Sequence, residues 1–175
     1  MIRRYALLLP LLSLLLVRTE PLRAAGIQND VLMSIADIEK KVVGLAEAMP
    51  EEKYSWRPAQ GVRSVSEVFM HIASANYFLS GMIGAPAPAG IKPQEFERTV
   101  TKRADVVRTL KDSFAHVTKA VQGVSAADLE KGVNMFGQLR TYQAVLLTLV
   151  EHMSEHLGQS IAYARSNGVA PPWSR

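Results

Sequence analysis

The chain contains no cysteine. That absence removes a disulfide framework, a thiolate metal site, a cysteine nucleophile and a lipidated cysteine. It also suits an oxidising compartment, where a stray thiol is a liability. No glycine-rich phosphate loop and no Gly-x-Ser-x-Gly elbow occurs in the sequence, so the parts of P-loop and α/β-hydrolase chemistry are missing. Aromatic residues are sparse, at 7%, but hydrophobic residues reach 48%, ample for one core. No convincing strand pattern and no internal repeat emerges.

A concentrated basic face is also lacking. The whole chain carries a formal +4, but Arg3, Arg4, Arg18 and Arg23 stand against Glu20 alone within residues 1–25, so the remainder is close to +1. A nucleic-acid-binding domain keeps its positive charge clustered, and none is expected to bind here. The N-terminal arginines precede an almost wholly apolar run, Tyr5 to Val17, and then the small residues Ala24, Ala25 and Gly26. Charged, apolar, small is the order of a secretory signal peptide. The apolar run is shorter than the roughly 20 residues of a membrane span, and Pro10 interrupts it. Residues 1–25 are therefore predicted to be a signal peptide and residues 26–175 one exported domain with no stable membrane span.

Four long helical patterns fill that domain. Ile27, Val31, Ile35, Ile38, Val42, Leu45 and Met49 recur every three or four residues before Pro50 stops the first. Ser64 and Glu67 form a capping box ahead of the second, whose apolar positions include Val68, Phe69, Ile72, Ala75, Phe78, Leu79 and Met82. The stretch Gly84 to Gly90, rich in Pro and Gly, ends it. The third is predicted from about Pro93 or Glu95 through Val121, with Arg103 interrupting its stripe. Val124 to Gly137 reads as a link with one short turn from Ser125. Thr141 caps the fourth, which runs to about Asn167, and Gly168 stops it. Four amphipathic helices of this length predict an all-α four-helix bundle. The methionines read as core filler, and Trp56 as a cover over one bundle end.

What is present in this plain scaffold is histidine. His152 and His156 lie one turn apart, where helical geometry points both imidazoles the same way. His71, on the second pattern, borders the stripe of Val68, Ile72 and Ala75. Three imidazoles converging from two helices would hold a divalent metal and leave a fourth position open to water or substrate. Zinc, nickel, iron and manganese all accept such donors. A His-x-x-x-His pair also arises by chance, and a boundary histidine is commonly structural; His116, with no partner at ligand spacing, is read that way. Glu151 and Glu155 flank the pair. Glutamate on a helix generally faces solvent, yet Glu155 is the candidate for a proton-handling or supporting role. Gln159, Asn76 and Tyr77 are candidates to line a cavity.

Three segments carry a resemblance: Trp56-Arg57-Pro58, Ser64 through Ile72 with His71, and His152-Met-Ser-Glu-His156-Leu-Gly-Gln159. Together, in this order, they resemble the DinB-like family, also called DinB/YfiT-like, over roughly residues 27 to 173. The resemblance implies an up-down-down-up bundle, commonly a homodimer, with a divalent metal on His71, His152 and His156. Some relatives resemble transferases that activate the thiol of a small cytosolic cofactor. An exported protein would rarely meet reduced low-molecular-weight thiols, so water is the favoured nucleophile. The sequence thus points to a metal-dependent hydrolase or transferase acting on a small molecule. The alternatives are a non-catalytic metal or small-ligand binding bundle protein, or a thiol-dependent S-transferase.

Overall fold

The computed structural model describes the backbone of residues 20–174 and the side chains of residues 26–174; most of the expected leader lies outside them. Four long helices make the body: α1 Glu20–Ala48, α2 Val65–Met82, α4 Arg103–Gln122 and α5 Tyr142–Ser166. A short helix, α3 Phe96–Thr99, follows a single 3₁₀ turn at Pro93–Glu95. The first stripe is the core of α1, with Val31, Ile35, Ile38, Val42, Leu45 and Met49 all buried. Val68, Phe69, Ile72 and Leu79 bury the facing side of α2, while Phe114, Leu146 and Leu149 close the centre. Met33 departs from the core-filler expectation: it is exposed, on the solvent face of α1.

α1 and α2 each pack against both α4 and α5, and the hydrogen bonds give the directions. Gln28, early in α1, donates to the Val121 carbonyl at the end of α4 (2.7 Å), whereas Lys111 reaches back to Glu47 late in α1 (2.8 Å); these helices are antiparallel. Asn76 on α2 donates to Ser113 on α4 (3.1 Å), and His116, further along α4, donates to the carbonyl of Ala85, just past α2 (3.0 Å). Those two run parallel. Arg63 lies against Tyr163 and His71 against His152, so α5 returns antiparallel to α2. The bundle is up-down-down-up.

The caps fall where the sequence puts them. Ser64 accepts from the Glu67 amide and Glu67 accepts from the Ser64 amide, a closed capping box that fixes the start of α2 two turns ahead of His71. Thr141 accepts from the Ala144 amide at the start of α5 (3.2 Å). Ser64→Ala is expected to cost about 1 kcal/mol, read as a lower urea midpoint with the fold intact. Two features differ from the sequence reading. The third helix is broken: the α3 turn ends at Thr99 and α4 begins at Arg103, so Arg103 is a first-turn residue and not an interruption of a continuous stripe.

The link before α5 also holds a hairpin, where no strand was expected. β1 Gly132–Met135 pairs antiparallel with β2 Gln138–Thr141, Met135 opposite Gln138. Its two-residue loop is Phe136-Gly137, with φ of 54° and 83°. Positive φ at both central positions is the turn that matches strand twist, and the Asn134 side chain accepts from the Gly137 amide (2.9 Å). Glycine takes that backbone freely; a phenylalanine there costs about 1 kcal/mol or more.

Candidate metal site

α2 and α5 cross with His71, His152 and His156 facing one another. One nitrogen from each lies within 4.8 Å of the others, the one such group of potential ligands among the described residues. His71 and His156 rings meet edge to face at 4.7 Å, His152 and His156 at 4.5 Å. The Nε2 atoms of His71 and His152 are 3.2 Å apart. Two nitrogens each ~2.0–2.1 Å from a zinc ion stand about 3.3 Å apart in a tetrahedral site, so this pair needs little adjustment.

The partners behind the rings settle which nitrogen faces inward. Glu97, on α3, lies 2.8 Å from His71 Nδ1. A carboxylate accepts only, so His71 carries its proton on Nδ1 and turns the Nε2 lone pair inward. His156 Nδ1 is 2.8 Å from Gln159 Oε1, and the Gln159 amide in turn donates to Tyr163 Oη (3.1 Å), which donates to the Arg63 carbonyl (3.1 Å). His156 is thereby held in the same tautomer. His152 Nδ1, by contrast, is buried with no hydrogen-bond partner. Its ring therefore lacks the supporting bond the other two have, and the nitrogen it turns toward His71 is Nε2; three Nε2 atoms facing one another match the donor set of a divalent ion.

Electrostatics favour the neutral, ligating form of His71 and His152. Burial pulls His152 down to about 4, helped by the neighbouring His156 and His71 and by Arg63. Burial likewise lowers His71, partly opposed by Glu97. Burial alone would raise Glu97, but Arg63, bonding through Nε (2.7 Å) and a terminal nitrogen (3.3 Å), and His71 hold it below the usual carboxylate range. Glu97 is therefore an anion wedged between a guanidinium and a histidine.

The residues singled out from sequence divide. His71, His152, His156 and Gln159 come together. Glu155 is exposed on α5, and among the described residues its side chain makes no hydrogen bond. Asn76 lies in the core bonded to Ser113 rather than in a cavity. Tyr77 does line a cavity wall. Trp56 packs edge-on against Tyr163 (5.3 Å), covering that end of the bundle. His116 is structural, bonded to the Ala85 carbonyl and packed on Tyr77. Glu97, Arg63 and Tyr163 are the residues the sequence reading missed.

His71 and His152 also form part of the wall of a cavity of about 590 Å³ between α2, α5 and the loop that joins α2 to α3, the size range of small-molecule sites. Among the described residues no helix is long and apolar enough to cross a membrane.

Residues 36–160 match the family model described as the DinB superfamily. The uncharacterized protein YjoA of Bacillus subtilis is 25% identical over 130 residues, which span 71% of this chain and 80% of that protein. Among solved structures, a DinB-like protein from Bacillus cereus superposes with a TM-score of 0.73 at 20% identity, over 84% of this chain and 97% of its own. The DinB-like protein YjoA from B. subtilis superposes with a TM-score of 0.65 at 22% identity, over 80% and 92%. At these identities the two structures speak for the fold.

Proposed function

The chain belongs to the DinB superfamily, and from that premise we propose that it is an exported metalloprotein that binds one divalent ion through His71, His152 and His156 and works on a small molecule, by hydrolysis or group transfer. The observation that carries this is the convergence of one nitrogen from each of the three histidines within 4.8 Å, with His71 and His156 turned Nε2-inward by Glu97 and Gln159. When bound, a zinc, nickel, iron or manganese ion supplies a Lewis acid that lowers the pKa of a water or of a substrate heteroatom.

The chain's own residues set the rest. Gln159 is engaged by His156 and Tyr163, and Glu155 is exposed. The donor set therefore stops at three protein ligands, which supports an open coordination position and a chemical rather than a storage role. Glu97 holds His71 and raises its basicity as a ligand. Export rests on the charged, apolar and small order of residues 1–26 and favours water over a thiol as the nucleophile. Assembly as a homodimer belongs to the same reading.

The test is metal content by elemental mass spectrometry of the untagged protein beside the His71/His152/His156 triple alanine variant. Near-stoichiometric metal in the first and its loss in the second is the expected result. Absence of metal from both after reloading overturns the proposal.

A further inference from the structure

The cavity beside the histidines is almost entirely hydrocarbon. Counting up α2 from His71, the positions that share its face are Ser74, Ala75 and Phe78, and α5 contributes Thr148 one turn before His152. Pro86 and Pro93, from the loop joining α2 to α3, form the opposite wall. Ser74 is already committed, donating to the Pro93 carbonyl (2.6 Å). Among the described residues, not one aspartate, glutamate, lysine or arginine lines the space. Away from the histidine end, a charged group brought in from water would find no charged side chain to pair with, and burying an unpaired charge is unfavourable.

The mouth is equally apolar. Phe136, at the tip of the hairpin, stacks on Phe78 of α2 with ring centroids 5.9 Å apart, and both rings remain largely exposed. Phe136 sits at the φ of 54° that asparagine or glycine would take at less cost. Apart from the stack on Phe78, the strained turn leaves this large apolar ring mostly in water. It does place that ring at the rim of the cavity.

We propose that this cavity takes an uncharged, predominantly apolar small molecule, aromatic or aliphatic, its body between Phe78 and the proline-bearing loop and under the Phe136 tip. One nitrogen, oxygen or sulfur atom of the molecule points toward His71 and His152. The orientation of that heteroatom rests on the metal reading above; the apolar preference rests on the wall alone. A polyanion would have to bury charges along this wall that no side chain pairs, and is disfavoured.

The experiment uses a matched pair of fluorescent probes on the zinc-treated protein. N-phenylnaphthylamine is neutral, and anilinonaphthalenesulfonate carries the same kind of ring system with one negative charge. Binding, zinc content and sedimentation are measured for the wild type, for Ala75→Trp, which fills the cavity from its wall, and for Phe136→Asn, which keeps the turn and removes the ring. The neutral probe is expected to bind one per chain, at least about ten-fold more tightly than the sulfonate. Ala75→Trp should weaken it about ten-fold or more with zinc unchanged, because the added indole occupies the space. Phe136→Asn should weaken it about three- to ten-fold while the melting temperature holds or rises. A purely structural Phe136 would leave binding untouched.

Equal affinity for both probes, or insensitivity to Ala75→Trp, overturns the proposal. So does a dimer that excludes the probe until Phe136→Asn dissociates it, since a second copy would then be the occupant. The two readings separate cleanly. Zinc without neutral-probe binding sinks this inference alone, and neutral-probe binding without zinc sinks the metal site while the apolar preference stands.

Discussion

His152→Ala is expected to weaken zinc binding by on the order of a hundredfold or more while leaving the stability of the chelated protein nearly unchanged. The first half follows from ligand number. Structural zinc sites hold about 10–16 kcal/mol across four ligands, so one imidazole is worth about 3 kcal/mol, and each 1.4 kcal/mol is tenfold. The second half follows from His152 Nδ1, which is buried without a partner. Removing the ring gives up packing beside His71 and His156, but it also relieves an unsatisfied polar atom that costs about 1–3 kcal/mol. These terms oppose each other. Competition titration with a chromophoric chelator reads the affinity, and urea unfolding in excess chelator reads the stability. If the histidines were structural, the pattern would invert: a clear loss of stability with and without metal, and no change in zinc uptake.

His152 and His156 were legible because a helix repeats every 3.6 residues, and i, i+4 spacing fixes two side chains on one face before any tertiary structure is known. His71 was legible as a histidine bordering the apolar stripe of a second helix, able to converge with the other two in a bundle, and the resemblance pointed to the same three residues. The four helices, the Ser64–Glu67 capping box and the Thr141 cap were legible because each is a local pattern. What escaped was non-local. Glu97 stands 26 residues from His71 in the chain, in a segment expected to be the smooth start of a long helix. Its role exists only because the break between Thr99 and Arg103 lets α3 turn back against α2. The hairpin escaped for a chemical reason: its turn is Phe136-Gly137, without the Asn-Gly or Asp-Gly pair that announces two-residue loops, and its strands span only four residues each.

Glu97 yields the second large effect. Glu97→Gln keeps the size of the side chain and one oxygen able to accept from His71 Nδ1, but removes the negative charge. Two consequences add. The imidazole loses the anion that makes it a stronger donor to a metal, and Arg63 is left as an uncompensated cation close to a site meant for another cation. Partners of this kind behind a ligand are worth roughly 10–100-fold in metal affinity, and a loss in that range is expected by the same chelator competition. Arg63→Gln makes the discriminating control. The Arg63 guanidinium both bonds Glu97 and adds positive charge near the rings, where it helps lower His71 and His152. Removing it should cost far less metal affinity than removing the carboxylate charge, and can even raise it. A merely structural salt bridge between Arg63 and Glu97 predicts the opposite: equal effects from both substitutions, visible in the melting temperature of the chelated protein and absent from the zinc titration. If Glu97 positions a metal ligand through His71, its signature is a change in metal affinity that its own partner does not reproduce.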